Sequence, residues 1–569
     1  MSAVEKRWLK NYPQGVPHEI DFGGYTSLVG LVNDNLKKYA NRPAFRSFVG
    51  SSEKMLTFGE IDQLSKQFAA YLQNEMGLKP GDRLALMMPN LLQYPIALFA
   101  AMRAGLTIVN TNPLYTAREI QHQFHDAGVT AVVIAENFAA ELEKVIDKTG
   151  VKRNKVIVVS IGEMFGGFKG WLINFAVRKL KKMVPKYNLA GHIKFKKALN
   201  QGNASQLKMA SGGQLDDVIC LQYTGGTTGV AKGAELTNKN MLANVFQVEG
   251  WINSANLKEG DERILTPLPL YHIFSFTVNL LCLGTSFGAC NVLVVNPRDL
   301  PAVVDIMKKT QPSVMTGVNT LFNALLNNEE FTQLDFSKLQ IVIGGAMAIQ
   351  KPVAEKWKKV TGSTLTEGYG MTEASPVVSV NPLYDEGRIG TIGLPIPSTE
   401  LRICDEDNNP LPLGEAGEIQ VRGPQVMKGY LNRPEDTAKT IVEDGWLRTG
   451  DVGVMDEDGF VKIVDRIKDM ILVSGFNVYP NEIEEVLAAH PKVLEVAAVG
   501  VPDPKSTEAV KVFVVKKDPS LTEEELRAFS KENFTGYKKP KHYEFREELP
   551  KTNVGKILRR ALRDEAKKA

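Results

Sequence analysis

Short apolar runs alternate along this chain with amphipathic stretches of helix length, and that rhythm restricts the fold more than any other feature. Residues 83–89, 131–135, 156–161, 218–222, 291–295, 313–318 and 340–343 each read as a buried strand. Between them, 61–74, 95–104 and 301–310 read as helices. Strands that alternate with helices imply α/β layers with largely parallel sheets. At 569 residues the chain is too long for one simple core, so two or more domains are expected.

The texture changes after Ser398. Residues 401–404, 417–422 and 460–464 are short strands separated by Asp, Asn, Gly and Pro turns, which suggests a small β-rich subdomain. A third texture begins near Met470. Residues 481–490 and 522–533 read as helices, and 496–501 and 510–516 as strands, giving a compact α+β unit of about a hundred residues. Between the two lies 465–470, a stretch without glycine or proline whose charges suggest a short solvated crossing and a hinge.

Composition excludes several classes. Apolar content of 43% and charged content of 23% are ordinary for a soluble globular chain, and a net charge of +3 gives no argument for nucleic acid. Cys220, Cys282, Cys290 and Cys404 have no paired spacing and read as buried thiols in a reducing compartment. His122, His125 and Asp126 lack a further metal ligand and read as a solvated helix face. Charges at Glu5, Lys6, Arg7 and Lys10 argue against a signal peptide. Residues 266–297 carry no formal charge, a length that could span a bilayer. Their prolines, asparagines, glycines and His272 argue instead for buried core around a ligand cavity.

Residues 163–197 stand apart. Phe165, Phe168, Trp171, Leu172, Phe175 and Leu180 alternate with Lys169, Arg178, Lys179, Lys181, Lys182 and Lys186. Apolar anchors beside cations suit a membrane surface, and an ordinary amphipathic surface helix would read the same way.

The chemistry centres on Tyr223-Thr224-Gly225-Gly226-Thr227-Thr228-Gly229-Val230-Ala231-Lys232-Gly233-Ala234, directly after an apolar strand. Such a loop presents N–H groups and hydroxyls to an anion, and phosphate is the usual one. It is not a Walker A loop, because Lys232 is followed by Gly233 and not by Ser or Thr. Further motifs follow in order: Gly344-Gly345-Ala346, then Glu367-Gly368-Tyr369-Gly370-Met371-Thr372-Glu373, then Trp446-Leu447-Arg448-Thr449-Gly450-Asp451, and a late loop at 550–556 that ends in Lys556.

In this order and spacing the motifs resemble the adenylate-forming (AMP-forming) ligase superfamily over essentially the whole chain. Residues 444–484 resemble the signature of fatty acyl-CoA synthetases, and 269–274, 312–327 and 555–565 are most similar to bacterial long-chain fatty-acid–CoA ligases. The resemblance implies an N-terminal AMP-binding domain over 1–464 with an acyl-binding tunnel, a hinge linker over 465–470, and a mobile C-terminal domain over 471–569. It also implies residue roles. Residues 223–234 become the phosphate loop, Gly344, Gly345 and Ala346 lie along adenine, and Tyr369 and Gly370 form its stacking segment. Thr372 touches the α-phosphate, Thr224 and Glu373 hold Mg2+, and Asp451 and Arg466 grip the ribose. Lys468 occupies the hinge position, where relatives carry Asp or Lys. Lys556 bridges the acyl carboxylate and the α-phosphate, and His272 stands at the edge of the acyl site. Phe276 stands where a related enzyme has a tryptophan that gates its tunnel.

The implied activity is ATP-dependent conversion of medium- to long-chain fatty acids to acyl-CoA through acyl-AMP, with AMP and pyrophosphate released. The implied cofactors are Mg2+, ATP and coenzyme A. The expected setting is cytoplasmic with peripheral contact at the inner membrane surface, and relatives of this kind are often homodimers. The uncharged segment 266–297, helped by 314–326, is the expected lining for the acyl tail. Two other readings stay open here: a fatty acyl-AMP or aryl-CoA ligase, and a lipid-binding module without turnover.

Overall fold

The computed structural model describes residues 5–210, 213–224, 231–383, 387–552 and 555–566. Among the described residues two large, mostly parallel sheets form the body of the chain. One has nine strands; its parallel centre runs Leu365–Gly370, Ile341–Gly344, Val314–Gly317, Arg263–Thr266, Cys290–Leu293 and Pro43–Val49. The other has eight; Val218–Thr224 pairs in parallel with Thr107–Asn110, which continues through Arg83–Met87 and Ala131–Ala135 to Val156–Val159. Their strands are apolar nearly throughout because both faces are covered. The helix Gln93–Arg103 shows the same logic, since every one of its residues is buried.

A third sheet is antiparallel and small, built from Glu400–Cys404, Gly417–Arg422, Ile441–Val442, Trp446–Met455 and Val461–Arg466. A fourth carries the C-terminal unit, where Val493–Asp503 and Thr507–Lys516 pair along ten residue positions. The helices Pro480–Ala488 and Glu523–Asn533 belong to this unit, which has its own apolar clusters. These element positions agree with the sequence expectations to within a few residues at each end.

Two expectations need correction. The crossing at 465–470 is not wholly solvated: Asp465 ends up fully buried at the tail of the strand Val461–Arg466. Its carboxylate accepts from the Asn481 backbone N–H at 2.8 Å and lies 3.7 Å from the Arg559 guanidinium. Arg559 in turn pairs with Glu484 and Asp469, and Arg563 with Asp469 at 2.6 Å. A cation supplied from the last helix, Arg559–Ala566, is what permits the burial.

His122 also differs from expectation. It is half-buried, with Nε2 3.0 Å from the Ala231 carbonyl, whereas His125 is exposed.

Phe276 is fully buried in the core, on a twelve-residue π-helix, Ser275–Ser286, whose residues are all buried. The polar side chains of that helix bond inward: Thr277 donates to the Ser375 carbonyl at 2.7 Å, and Asn279 to Thr316 at 2.8 Å. The four cysteines are free and buried, as expected. Among the described residues no helix is long and apolar enough to cross a membrane.

The helix Gly167–Phe175 and the π-turn Ala176–Leu180 after it form a ridge on the surface. Phe168 is 72% exposed, Trp171 58% and Leu180 70%. The rings of Phe168, Trp171 and Phe175 stack in series at 5.7 and 5.5 Å. Arg178 makes a two-pronged bond to the buried carboxylate of Glu136 and anchors the ridge from below.

Candidate active site

The C-terminal edges of both large sheets and the C-terminal unit converge on one cleft of about 1250 Å³. The phosphate-loop sequence begins at the end of the strand Val218–Thr224 and returns as the strand Lys232–Thr237, with Tyr223 paired to Gly233 and Thr224 to Lys232. Gly225, Gly226, Thr227, Thr228, Gly229 and Val230 lie outside the described residues. Thr224 and Lys232 face the cleft; Ala231, Gly233 and Ala234 do not line it. Gly233 is needed where it stands, because a Cβ there would come within 2.9 Å of the Tyr223 ring.

Both ends of the loop are braced. The Tyr223 hydroxyl donates to Asp126 at 2.7 Å, and Arg433 pairs with the same carboxylate at 3.3 Å. Lys232 Nζ sits 2.9 Å from Asp436 and 5.1 Å from the centre of the Tyr430 ring. None of Asp126, Arg433, Asp436 or Tyr430 was marked by the sequence motifs.

Glu373 lies on a short 3-10 turn, Thr372–Ala374, directly after the strand Leu365–Gly370 and is 8% exposed. Burial raises its carboxyl above the ordinary range, and the hydroxyl of Tyr430, donating to Oε1 at 2.6 Å, opposes that rise. Thr372 and Gly370 stand beside it on the cleft wall. Tyr369 donates its hydroxyl to Asp451 Oδ2 at 2.6 Å, and Arg466 Nε lies 3.4 Å from Asp451 Oδ1. Two side chains from separate motifs thus meet at the carboxylate of a third. Gly345 and Ala346 line the same wall, while Gly344 ends its strand behind it.

Lys556 reaches the cleft from the C-terminal unit and shares it with Asp451, Arg466, Lys468 and His272. Burial lowers its ammonium to about 7, and Arg466 adds to the shift. Lys468 is lowered in the same direction, by burial first and Arg466 second. Burial, and then Lys556, lower His272 to about 4, so its ring is neutral. The Phe274 N–H donates to His272 Nδ1 at 3.3 Å, which leaves the proton on Nε2 as a donor.

The far end of the cleft is apolar. Val248, Trp251 and Ile252 come from the helix Asn238–Ile252, and Val377, Val380, Leu383 and Ile392 from the chain after Glu373. The segment 266–297 contributes Tyr271–Phe274 and Val278, and 314–326 contributes only the polar Asn319, Thr320 and Asn323. The apolar end of the cleft is thus lined mainly by residues outside 266–297 and 314–326. Phe276 is not on the wall.

The chain matches the AMP-binding enzyme family over residues 32–431 and the AMP-binding enzyme C-terminal domain over residues 482–556.

It belongs to the AMP-binding enzyme family.

Among curated relatives, the long-chain-fatty-acid–CoA ligase of Escherichia coli O6:H1 is 55% identical over 566 residues, 99% of either chain. The long-chain-fatty-acid–CoA ligase of Bacillus subtilis is 38% identical over 565 residues, 99% of this chain and 98% of that one. Among solved structures, ATP-bound MatB from Rhodopseudomonas palustris superposes with a TM-score of 0.80 at 26% identity, covering 94% of this chain and 98% of that one. The fold is that of the adenylate-forming enzymes: a large α/β body with mostly parallel sheets and a small C-terminal unit.

Proposed function

We propose that this AMP-binding enzyme is a fatty-acid–CoA ligase that activates medium- to long-chain acids through an acyl-AMP intermediate. One observation carries the reading. A single cleft joins a nucleotide end, lined by Thr224, Tyr369, Glu373, Asp451 and Lys556, to an apolar end around Val248 and Trp251. The relatives named for long-chain substrates support it.

In the first half-reaction a carboxylate oxygen attacks the α-phosphorus, and the bond to the bridging oxygen breaks as pyrophosphate leaves with the electron pair. The chain's task is positioning and charge stabilisation. Tyr369 stacks on adenine beside Gly345 and Ala346, and Asp451 with Arg466 takes the ribose hydroxyls. Thr372 meets the α-phosphate, and Lys556 places its charge between that phosphate and the incoming carboxylate. Lys232 and the loop 223–234 receive the polyphosphate, and His272 Nε2–H donates at the edge of the acyl site.

Mg2+ fits the donors present: Glu373 offers a buried carboxylate and Thr224 a hydroxyl, both hard oxygen ligands on the cleft wall. One protein carboxylate plus substrate phosphates is the usual manner of holding this ion. When bound, it offsets phosphate charge.

In the second half-reaction the CoA thiol attacks the acyl carbon and AMP departs. The division into 1–464, 465–470 and 471–569 serves this change, with the last part turning about Lys468 to bring 474–479 to the site. That segment's exposure supports the reading, since Phe476 is 54% exposed, with one face of its ring stacked on Tyr537 at 4.6 Å.

The acid substrate partitions into bilayers. The stacked ridge of Phe168, Trp171 and Phe175, with Lys169, Lys179, Lys181 and Lys182 around it, supports peripheral contact with the cytoplasmic face of an anionic membrane. Size-exclusion with light scattering tests the homodimer implied by the resemblance.

The deciding assay gives purified protein ATP, Mg2+ and either straight-chain acids of graded length or aromatic acids, with and without CoA. Expected are pyrophosphate and acyl-AMP from palmitate without CoA, and AMP and palmitoyl-CoA with it. Absence of palmitoyl-AMP refutes the proposal, and preference for aromatic acids replaces its substrate class.

A further inference from the structure

We infer that Thr320 and Asn323 are positioning residues that clasp the Lys556 loop in the acyl-adenylating arrangement and take no part in thioester formation. This rests on the assignment of Lys556 to the first half-reaction.

The helix Asn319–Leu326 buries Leu321, Phe322, Leu325 and Leu326 in the body of the chain. Thr320 and Asn323 stand three residues apart and so share one face. That face meets the C-terminal unit. The Thr320 hydroxyl donates to the Gly555 carbonyl at 3.0 Å, and Asn323 Nδ2 donates to the Leu494 carbonyl at 3.0 Å. Neither side chain caps its own helix, whose N-cap, Val318, makes no side-chain bond.

The two acceptors belong to one stiff piece. Within the loop the Thr552 N–H donates to the Lys556 carbonyl at 2.7 Å, and the Lys556 N–H donates to Thr552 Oγ1 at 3.1 Å. Lys551 pairs with Glu495 at 2.7 Å, which ties the loop to the strand that holds Leu494. A bond to Gly555 therefore fixes the residue whose neighbour is Lys556, and the second bond removes rotation about the first. Gly555 adopts φ +82°, and a Cβ there would stand 2.8 Å from Thr320 Oγ1. The close approach is thus built into both partners.

A rotation that carries Lys556 out of the cleft breaks both bonds, so their removal penalises only the step that needs them made. Each neutral hydrogen bond is worth about a twofold to tenfold change in the population of the docked arrangement.

The test uses the full-length protein and four variants: Thr320→Val, Thr320→Ser, Asn323→Ala and Lys556→Ala. Adenylation is read as palmitate-dependent exchange of labelled pyrophosphate into ATP. Thioester formation is read from synthetic palmitoyl-AMP and CoA. Thr320→Val and Asn323→Ala are expected to slow exchange about twofold to tenfold each and to leave thioester formation unchanged or faster. Thr320→Ser keeps the hydroxyl and restores exchange. Exchange that stays at the parent rate in both Thr320→Val and Asn323→Ala overturns the clasp. So does a parallel fall of both half-reactions, or a Thr320→Ser variant as slow as Thr320→Val. Should Thr320→Val fail to fold, Asn323→Ala carries the same outcomes. If Lys556→Ala retains exchange, the assignment of Lys556 falls and the clasp with it; if Lys556→Ala loses exchange while the other variants keep it, the clasp alone falls.

Discussion

The Tyr430 hydroxyl donates to Glu373 Oε1 at 2.6 Å across 57 residues of sequence. Burial drives the Glu373 carboxyl toward its neutral form, and Tyr430 holds it back toward the anion that the proposed Mg2+ ligand must be. Tyr430→Phe removes that support. The Glu373 carboxyl then rises further, so the acid limb of the adenylation pH profile moves to higher pH. At neutral pH a loss of about tenfold is expected, the scale of one charge-assisted hydrogen bond. A pH profile of pyrophosphate exchange measures both, and an unmoved acid limb removes Tyr430 from the site.

The proposed role of Lys556 needs a cation, and burial lowers it to about 7. In the free enzyme the charged form is present below that pH and lost above it. The ratio kcat/KM for ATP in adenylation should therefore fall as pH rises through 7, whereas kcat, read with phosphates bound, should hold to higher pH. Lys556→Ala should slow acyl-AMP formation by about 10²–10³-fold and spare thioester formation from supplied acyl-AMP. Stopped-time assays of each half-reaction decide, and an equal loss in both counts against the role.

Arg559 stands among Asp465, Asp469 and Glu484. Arg559→Met leaves those carboxylates without their shared cation, and a loss of about 3–5 kcal/mol is expected from urea unfolding at pH 8. Burial raises Asp465 to about 6 even with Arg559 present. A folded-state value above the unfolded one is a penalty that is complete above the folded value and vanishes below the unfolded value. The deficit of the variant should therefore shrink as pH falls through 6, and a deficit independent of pH contradicts the account.

The apolar end of the cleft is shaped by Val248 and Trp251, and Phe276 lies behind its wall. Val248→Phe should shorten the usable chain, reducing kcat/KM for palmitate about tenfold or more relative to octanoate, since each buried methylene is worth about 0.8 kcal/mol. Phe276→Ala should cost about 3–5 kcal/mol of stability and leave chain-length preference in place. A changed length profile in Phe276→Ala would assign it a gating role.

Phe168 and Trp171 are exposed large side chains in a basic setting. The double variant Phe168→Ala/Trp171→Ala should lose most of its co-sedimentation with vesicles containing anionic lipid and keep its activity on detergent-dispersed acid. Unchanged co-sedimentation assigns the ridge another use.

The parallel strands were legible because burial on both faces writes itself as continuous Val, Ile and Leu, as at Ala131–Ala135. The polar end of the cleft was legible because its groups sit in short contiguous motifs, such as the one holding Tyr369, Thr372 and Glu373. The braces were not. Asp126, Tyr430, Arg433, Asp436 and Thr320 are common residue types with no local pattern that marks a bracing role, and each acts through a partner distant in the chain. The acyl lining was misjudged for a related reason: an uncharged segment announces burial but not which cavity, if any, it faces, and most of Ser275–Ser286 faces the core.

Local order of residues alone thus determined the layered α/β body, the separate C-terminal unit and the short motifs that the fold gathers at one cleft, because those features depend on periodicity and on short loops. Tertiary structure decided which side chains stand behind Glu373, how Asp465 is buried and where Lys556 is held. Those outcomes depend on desolvation and on hydrogen bonds between residues that only the folded chain brings within 3 to 4 Å.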